Sequence, residues 1–156
     1  MLLAMAAAWA QSQAPNADVW ATAIAQHTSD GRRVIFRYVK EFGRLPDRTA
    51  FPYVVVLAWR YVSDTGLPQG PAVDAMYELE DRLAANVENT GRGRLVLIST
   101  GENVRLWTYY AKSDSEFRVA LSGALVPARK FPIEVTSKLD PAWAEYERFK
   151  AGVREK

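Results

Sequence analysis

Two groups of side chains in this sequence have the types and spacing that ligand recognition uses. Trp59, Arg60 and Tyr61 form one run, and Arg105, Trp107 and Tyr109, followed by Tyr110, form another. Rings give flat apolar surface and guanidinium groups give a planar fork of donors, so together they suit a peptide or a glycan. Packing in a core is the plainer use of the same rings. The third group is acidic: Asp74, Glu78, Glu80 and Asp81 fall within one helical stretch. Carboxylates three or four residues apart share a helix face, as general acid and base work or a hard cation such as calcium or magnesium requires. Asp74, Glu78 and Asp81 are the weak metal candidates. Arg82 lies four residues after Glu78, however, which favours a solvated ion-paired face.

Other catalytic chemistry lacks its parts. The chain contains one histidine, His27, and no cysteine, which removes thiolate nucleophiles, disulfides and the usual multi-histidine or cysteine metal sites. His27 stands just before Ser29-Asp30-Gly31 and reads as an exposed turn residue. No GxSxG-like nucleophile turn accompanies it, so a serine triad is excluded. Gly91-Arg92-Gly93-Arg94 precedes a strand, whereas a phosphate loop follows one. No catalytic residue is assigned and no cofactor is implied. With 20 basic and 18 acidic residues, the charge gives no field that would draw nucleic acid.

The elements that must position these groups follow from periodicity and turn chemistry. Strands are expected near 19–27 and 33–40 around the Asp30-Gly31 turn, and PYVVVLAWRYV from Pro52 reads as a central strand. Arg60, the one charge in that strand, belongs at its rim or opposite a carboxylate. One amphipathic helix is predicted over 71–89, closed by Asn89-Thr90-Gly91. RLVLIST and VRLWTYYA form a second hairpin through Gly101-Glu102-Asn103. Ser113 or Asp114 caps a helix through Phe117, Leu121 and Leu125, and Pro127 and Pro132 bracket a last strand, FPIEVTS. Asp140-Pro141 reads as an N-cap with proline at the first helical position, opening a short helix whose Trp143 and Tyr146 dock on the domain.

Without its ends this order is β-α-β-β-α-β. The expected fold is therefore α+β: a ferredoxin-like sandwich with an added N-terminal β-hairpin and a short C-terminal helix, in one domain over 19–150. Residues 1–10 read as a signal peptide, LLAMAAAWA ending in Ala8-Trp9-Ala10 with cleavage before Gln11, and 11–18 as a flexible mature terminus. No basic residue opens the run, and a buried N-terminal helix is the competing reading. The run is too short for a membrane span, which needs ~20 apolar residues. A periplasmic or secreted location follows as an expectation, without stable membrane insertion.

Several strings together resemble the bacterial family called domain of unknown function 695. They are FPYVVVLAWRY, the Gly66-Leu67-Pro68 turn, MYELEDRL, RLWTYY and FPIEVTSKLDPAWAEY, in order over about residues 51–147. The closing Asp140-Pro141-x-Trp143-x-x-Tyr146 with Glu80-Asp81 is the most specific combination. The resemblance implies a compact α+β domain with no assigned activity and no catalytic residues. In architecture the family is also similar to ferredoxin-like inhibitors of bacterial ribonuclease E, a likeness of fold only.

The reading favours a non-enzymatic binding module that holds a protein or peptide through Trp59, Arg60, Tyr61, Arg105, Trp107 and Tyr109 or through an open strand edge. Nucleic acid is not expected, because NVRLWTYYA lacks the signature of an RNA-recognition strand. A cell-envelope hydrolase using the helix carboxylates is the alternative. An inhibitor or immunity protein is a further one.

Overall fold

A computed structural model describes residues 17–125 and 130–154. The expected leader, its cleavage point and most of the expected loose terminus lie outside the described residues, as does Pro127. Asp18, assigned to that terminus, is held: Arg94 Nη2 donates to both its carboxylate oxygens at 3.1 Å and the Gly43 N–H donates at 3.0 Å.

The fold is α+β, with a six-stranded antiparallel sheet and three helices. In chain order the strands are β1 (Val19–Gln26), β2 (Arg33–Glu41), β3 (Tyr53–Arg60), β4 (Gly93–Gly101), β5 (Val104–Ala111) and β6 (Ile133–Leu139). Across the sheet they run β1-β2-β4-β5-β3-β6. Helix α1 (Pro71–Leu83) links β3 to β4 and α2 (Asp114–Ala124) links β5 to β6, each passing over one intervening strand. The N-terminal hairpin joins the same sheet, β2 pairing with β4 from Ile35 to Tyr38.

Alternation along the strands decides which face each side chain meets. In β3 and β5, Val55, Leu57 and Trp59 stand in register with Tyr109, Trp107 and Arg105 and turn to the helix layer. There they meet Met76, Leu79 and Leu83 of α1 and Phe117 and Leu121 of α2 in the main core. Their neighbours Val54 and Tyr110 turn the opposite way. Helix α1 starts with Pro71 at its first position, where a missing N–H costs nothing, and Ser113 Oγ caps α2 by accepting from the Glu116 N–H at 3.3 Å.

The sequence predicts one α-helix over 71–89, but the α-helical part ends at Leu83. Ala84–Glu88 is a wide turn in which the Asn89 N–H reaches back five residues to the Ala84 carbonyl at 2.8 Å. Eight residues of regular helix would set Glu88 about 80° around from Glu80. The extra residue in the wide turn rotates Glu88 back toward the same stripe, and both carboxylates face β5.

Helix α3 (Ala144–Gly152) covers part of the opposite face. The N-cap position is Trp143 and not the expected Asp140, which closes the helix start from three residues further back, its two oxygens accepting from the Ala144 and Glu145 N–H groups at 2.8 and 3.0 Å. Nor is Pro141 the first helical residue. The chain turns first, and Trp143 takes a left-handed conformation (φ 57°) immediately before the helix. That conformation costs roughly 1–2 kcal/mol for a residue with a Cβ. It aims the indole under the helix, stacked on Tyr110 at 4.1 Å with Nε1–H donating to the Phe51 carbonyl at 2.9 Å.

Asp140 also accepts from the Tyr110 hydroxyl at 2.7 Å. Burial acts to raise its carboxyl, but the Glu145 N–H, the Tyr110 hydroxyl, the Ala144 N–H and the Lys138 charge outweigh it and hold the group below its ordinary value. A carboxyl lowered in the folded state contributes stability that is present above its unfolded value and is lost as pH falls through the folded one. Asp140→Asn is therefore expected to flatten the loss of stability below about pH 4 and to cost about 1–3 kcal/mol at neutral pH, both read from urea unfolding across pH.

Candidate functional site

The residues expected to form a binding platform divide between the core and its rim. Trp107 and Tyr109 are fully buried beneath the helices and Trp59 nearly so. Tyr61 donates its hydroxyl to the Gly66 carbonyl at 2.7 Å, and burial pushes that hydroxyl up to about 12. Arg60 is exposed at the rim, 3.9 Å from Glu134. The structure brings Arg105, Trp107 and Tyr109 together along β5 and leaves Arg60 on the other side of the sheet. Tyr110, next to Tyr109, is likewise on that other side, under Trp143.

Arg105 is the member of the group that reaches a cleft. It is 6% exposed, and its Nη2 is bonded to Glu80 Oε1, which also accepts from Trp107 Nε1–H at 2.9 Å. The guanidinium lies over the rings of Trp107 and Tyr77 at 5.4 and 5.6 Å. Its Nε is buried and has no hydrogen-bond partner among the described residues. Eight residues after Glu80, Glu88 accepts from the Tyr109 hydroxyl at 3.3 Å. Burial raises the Glu88 carboxyl, an effect the Tyr109 bond opposes and the Glu80 charge reinforces, and burial also pushes the Tyr109 hydroxyl well up. Arg105 lines a cleft of about 260 Å³ between the start of α1 and strands β2 and β4.

Asp74, Glu78 and Asp81 lie on the outward side of α1. Asp74 and Asp81 are exposed, and Glu78 is paired with Arg82 at 3.0 Å. Among the described residues no three histidine, cysteine, aspartate or glutamate side chains gather closely enough to hold a metal ion. His27 is half exposed at the first hairpin turn, its Nε2 at 2.5 Å from Glu102 Oε1.

A larger cleft, about 1120 Å³, lies on the opposite face, between the β1–β2 hairpin and α3. Ala21, Ala23 and Ala25 leave room along β1, and Phe36 and Tyr38 of β2 form the floor with Phe149 of α3, whose ring lies 5.1 and 5.2 Å from theirs. Three cationic residues, Lys40, Arg148 and Arg154, line it; Arg148 is bonded to Glu145 at 3.2 Å, and among the described residues no carboxylate is part of the lining. Sequence reasoning named an open strand edge without locating it. The signal was the string VWATAIAQ, which holds no charge and no proline.

A family model described as a family of unknown function, DUF695, matches residues 18–149. The chain belongs to the DUF695 family. No curated protein and no solved structure matches it. The matched span of this DUF695 chain runs from Asp18, at the foot of β1, to Phe149 in α3, so it takes in the whole lining of the Arg105 cleft and all of the larger cleft's lining except Gly152, Val153 and Arg154. Among the described residues, no helix is long and apolar enough to cross a membrane.

The buried Glu80–Arg105 pair yields a direct test. Removing one partner of a buried pair leaves a charge uncompensated and costs about 3–5 kcal/mol, whereas replacing both by apolar residues is often neutral. Glu80→Ala is expected to show that loss in urea unfolding. Glu80→Met with Arg105→Met is expected to recover most of it.

Proposed function

We propose that this domain is a non-enzymatic binding module that takes an extended acidic segment of a partner protein as an added strand along β1. The observation that carries the reading is an undefended strand edge beside a cation-lined cleft. Strand β1 ends the sheet, and no described strand pairs with its outer side. Natural sheets blunt such edges with charge, proline or a bulge, because unpaired N–H and C=O groups recruit other chains. Strand β6, at the other end, carries Glu134 and Lys138. Between Val19 and Gln26 there is no charge and no proline, the pairing with β2 shifts register only at the Val19/Trp20 end, and Ile24 is 60% exposed.

Strand addition supplies affinity through the backbone, and alternate side chains of the added strand supply specificity through pockets. Here the pocket side is the alanine-lined cleft, whose Lys40, Arg148 and Arg154 complement acidic side chains. The central unit is read as ferredoxin-like, supported by the order β4-β5-β3-β6 among its four strands and by the two helix crossovers. The module is proposed to act after export, on the strength of the Ala8-Trp9-Ala10 leader. N-terminal sequencing of the mature protein from its native host should then begin at Gln11, and an uncleaved terminus argues against export.

The binding mode is tested by fluorescence anisotropy with labelled peptides of about ten residues that alternate valine with glutamate or with lysine. The acidic peptide is expected to bind more tightly, with an affinity that falls as salt rises. Ala23→Glu, which sets a carboxylate in the cleft, and Ile24→Lys, which defends the edge, should each weaken binding about tenfold. Equal affinity for both peptides, or a chain that sediments as a dimer broken by Ile24→Lys, overturns the reading.

A further inference from the structure

We infer that the cleft around Arg105 is a second, independent site, which takes a small carboxylate with a compact apolar body. Two guanidinium groups line it from the strands on either side of β4, Arg105 from β5 and Arg37 from β2. Their charges are not equally spent. Arg105 is neutralised by Glu80, which it reaches through Nη2, yet its Nε stays buried with no partner among the described residues. A buried polar group without a partner costs about 1–3 kcal/mol, so natural structures seldom keep one without a use.

Arg37 has no ion-pair partner among the described residues and is exposed. No carboxylate lines the cleft. With Glu80 cancelling Arg105, the cleft carries one uncompensated positive charge, the amount that a single carboxylate answers and a phosphate dianion exceeds. Guanidinium groups bind carboxylates through paired, charge-assisted hydrogen bonds. The rest of the cleft suits the rest of such a ligand. Ile35, Val73 and the half-exposed ring of Tyr77 form apolar walls, and Thr100 adds a hydroxyl. A volume of about 260 Å³ limits the occupant to a small molecule, below the ~300–1,000 Å³ of clefts that hold drug-sized ligands.

The site lies on the helix side of the sheet and the alanine-lined cleft on the other, since Arg37 and Tyr38 point to opposite faces of β2. The proposal therefore stands or falls apart from strand addition at β1. Phenylacetate serves as the probe, with phenylacetamide as its neutral counterpart and inorganic phosphate as competitor, read by saturation-transfer NMR and titration at low salt. Saturable binding of phenylacetate at about 0.1–10 mM is expected. The amide, and phenylacetate with Arg37→Gln, should each bind about tenfold more weakly. Arg37→Lys, which keeps the charge and loses the fork, should fall between. Arg37 is exposed, so these variants should keep the native near-ultraviolet circular dichroism. No saturable binding, equal binding of acid and amide, unchanged affinity in Arg37→Gln, or displacement by phosphate overturns the proposal. Unchanged acidic-peptide binding by Arg37→Gln is expected and separates this site from the β1 edge.

Discussion

Arg105 sits nearly sealed at the start of β5, in a strand that is aromatic and aliphatic apart from Thr108, and a guanidinium in that position costs several kcal/mol unless it is answered. Glu80 answers it, and in doing so sets the placement of α1, because the carboxylate must also receive the Trp107 indole N–H. A helix held at that point buries Met76, Leu79 and Leu83 against β3, β4 and β5. The wide turn at Ala84–Glu88 then returns a second carboxylate to β5 at Tyr109. Gly93 leaves the space that this turn needs, since a Cβ there would lie 2.9 Å from Val87 and 3.0 Å from Phe117. Polar bonds fix the register of the helix on the sheet, and apolar burial supplies most of the stabilisation.

The other face is organised around Asp140 in a comparable way. One carboxylate closes the first turn of α3 and receives the Tyr110 hydroxyl, so the strand beneath and the helix above share an anchor. The Tyr146 hydroxyl donates to the Val39 carbonyl at 2.5 Å, which ties the same helix to β2. Arg48 extends the attachment from outside, bonded to Glu147 at 2.6 Å and lying over the Trp143 ring at 5.1 Å. Because α3 reaches β2 but stops short of β1, the cleft beside it is a consequence of helix length.

Much of this was legible in the sequence, and the reasons differ by element. The first hairpin could be read because Asp30-Gly31 supplies the turn, and Gly31 does take a positive φ of 71°. The α1 stripe and the Ser113 cap follow from local periodicity and chemistry. The wide turn could not be read, since its register depends on what Glu88 meets across the core. Nor could the left-handed Trp143: Asp-Pro commonly opens a helix directly, and the delay comes from the tertiary fit of the indole under Asp140. For the binding groups, parity along β5 was available. It sorts Arg105, Trp107 and Tyr109 from Tyr110 at once. Which of the two faces stays open depends on how far each helix extends over the sheet, and no local pattern encodes that.

The two surfaces proposed to bind ligands belong chiefly to the hairpin at the edge. Strands β3 and β5 carry the sealed polar bonds and are covered by α1 and α2 on one side, while on the other α3 leaves a cleft of about 340 Å³ lined by Val54, Val56 and Thr108. Strand β2 joins β4 through only four residue pairs, Ile35 to Tyr38, and beyond them its Val39 and Lys40 carbonyls accept from Tyr146 and Lys150 of α3. Within those four residues, Ile35 and Arg37 line the cleft beside α1, while Phe36 and Tyr38 line the cleft beside α3. A peptide plane therefore separates the two surfaces, and a one-residue slip of β2 against β4 would exchange every group between them. The aromatic contacts of Phe36 and Tyr38 with Phe149 oppose such a slip, since it would carry both rings to the helix side. Register at this short seam is thus the structural condition that both surfaces share.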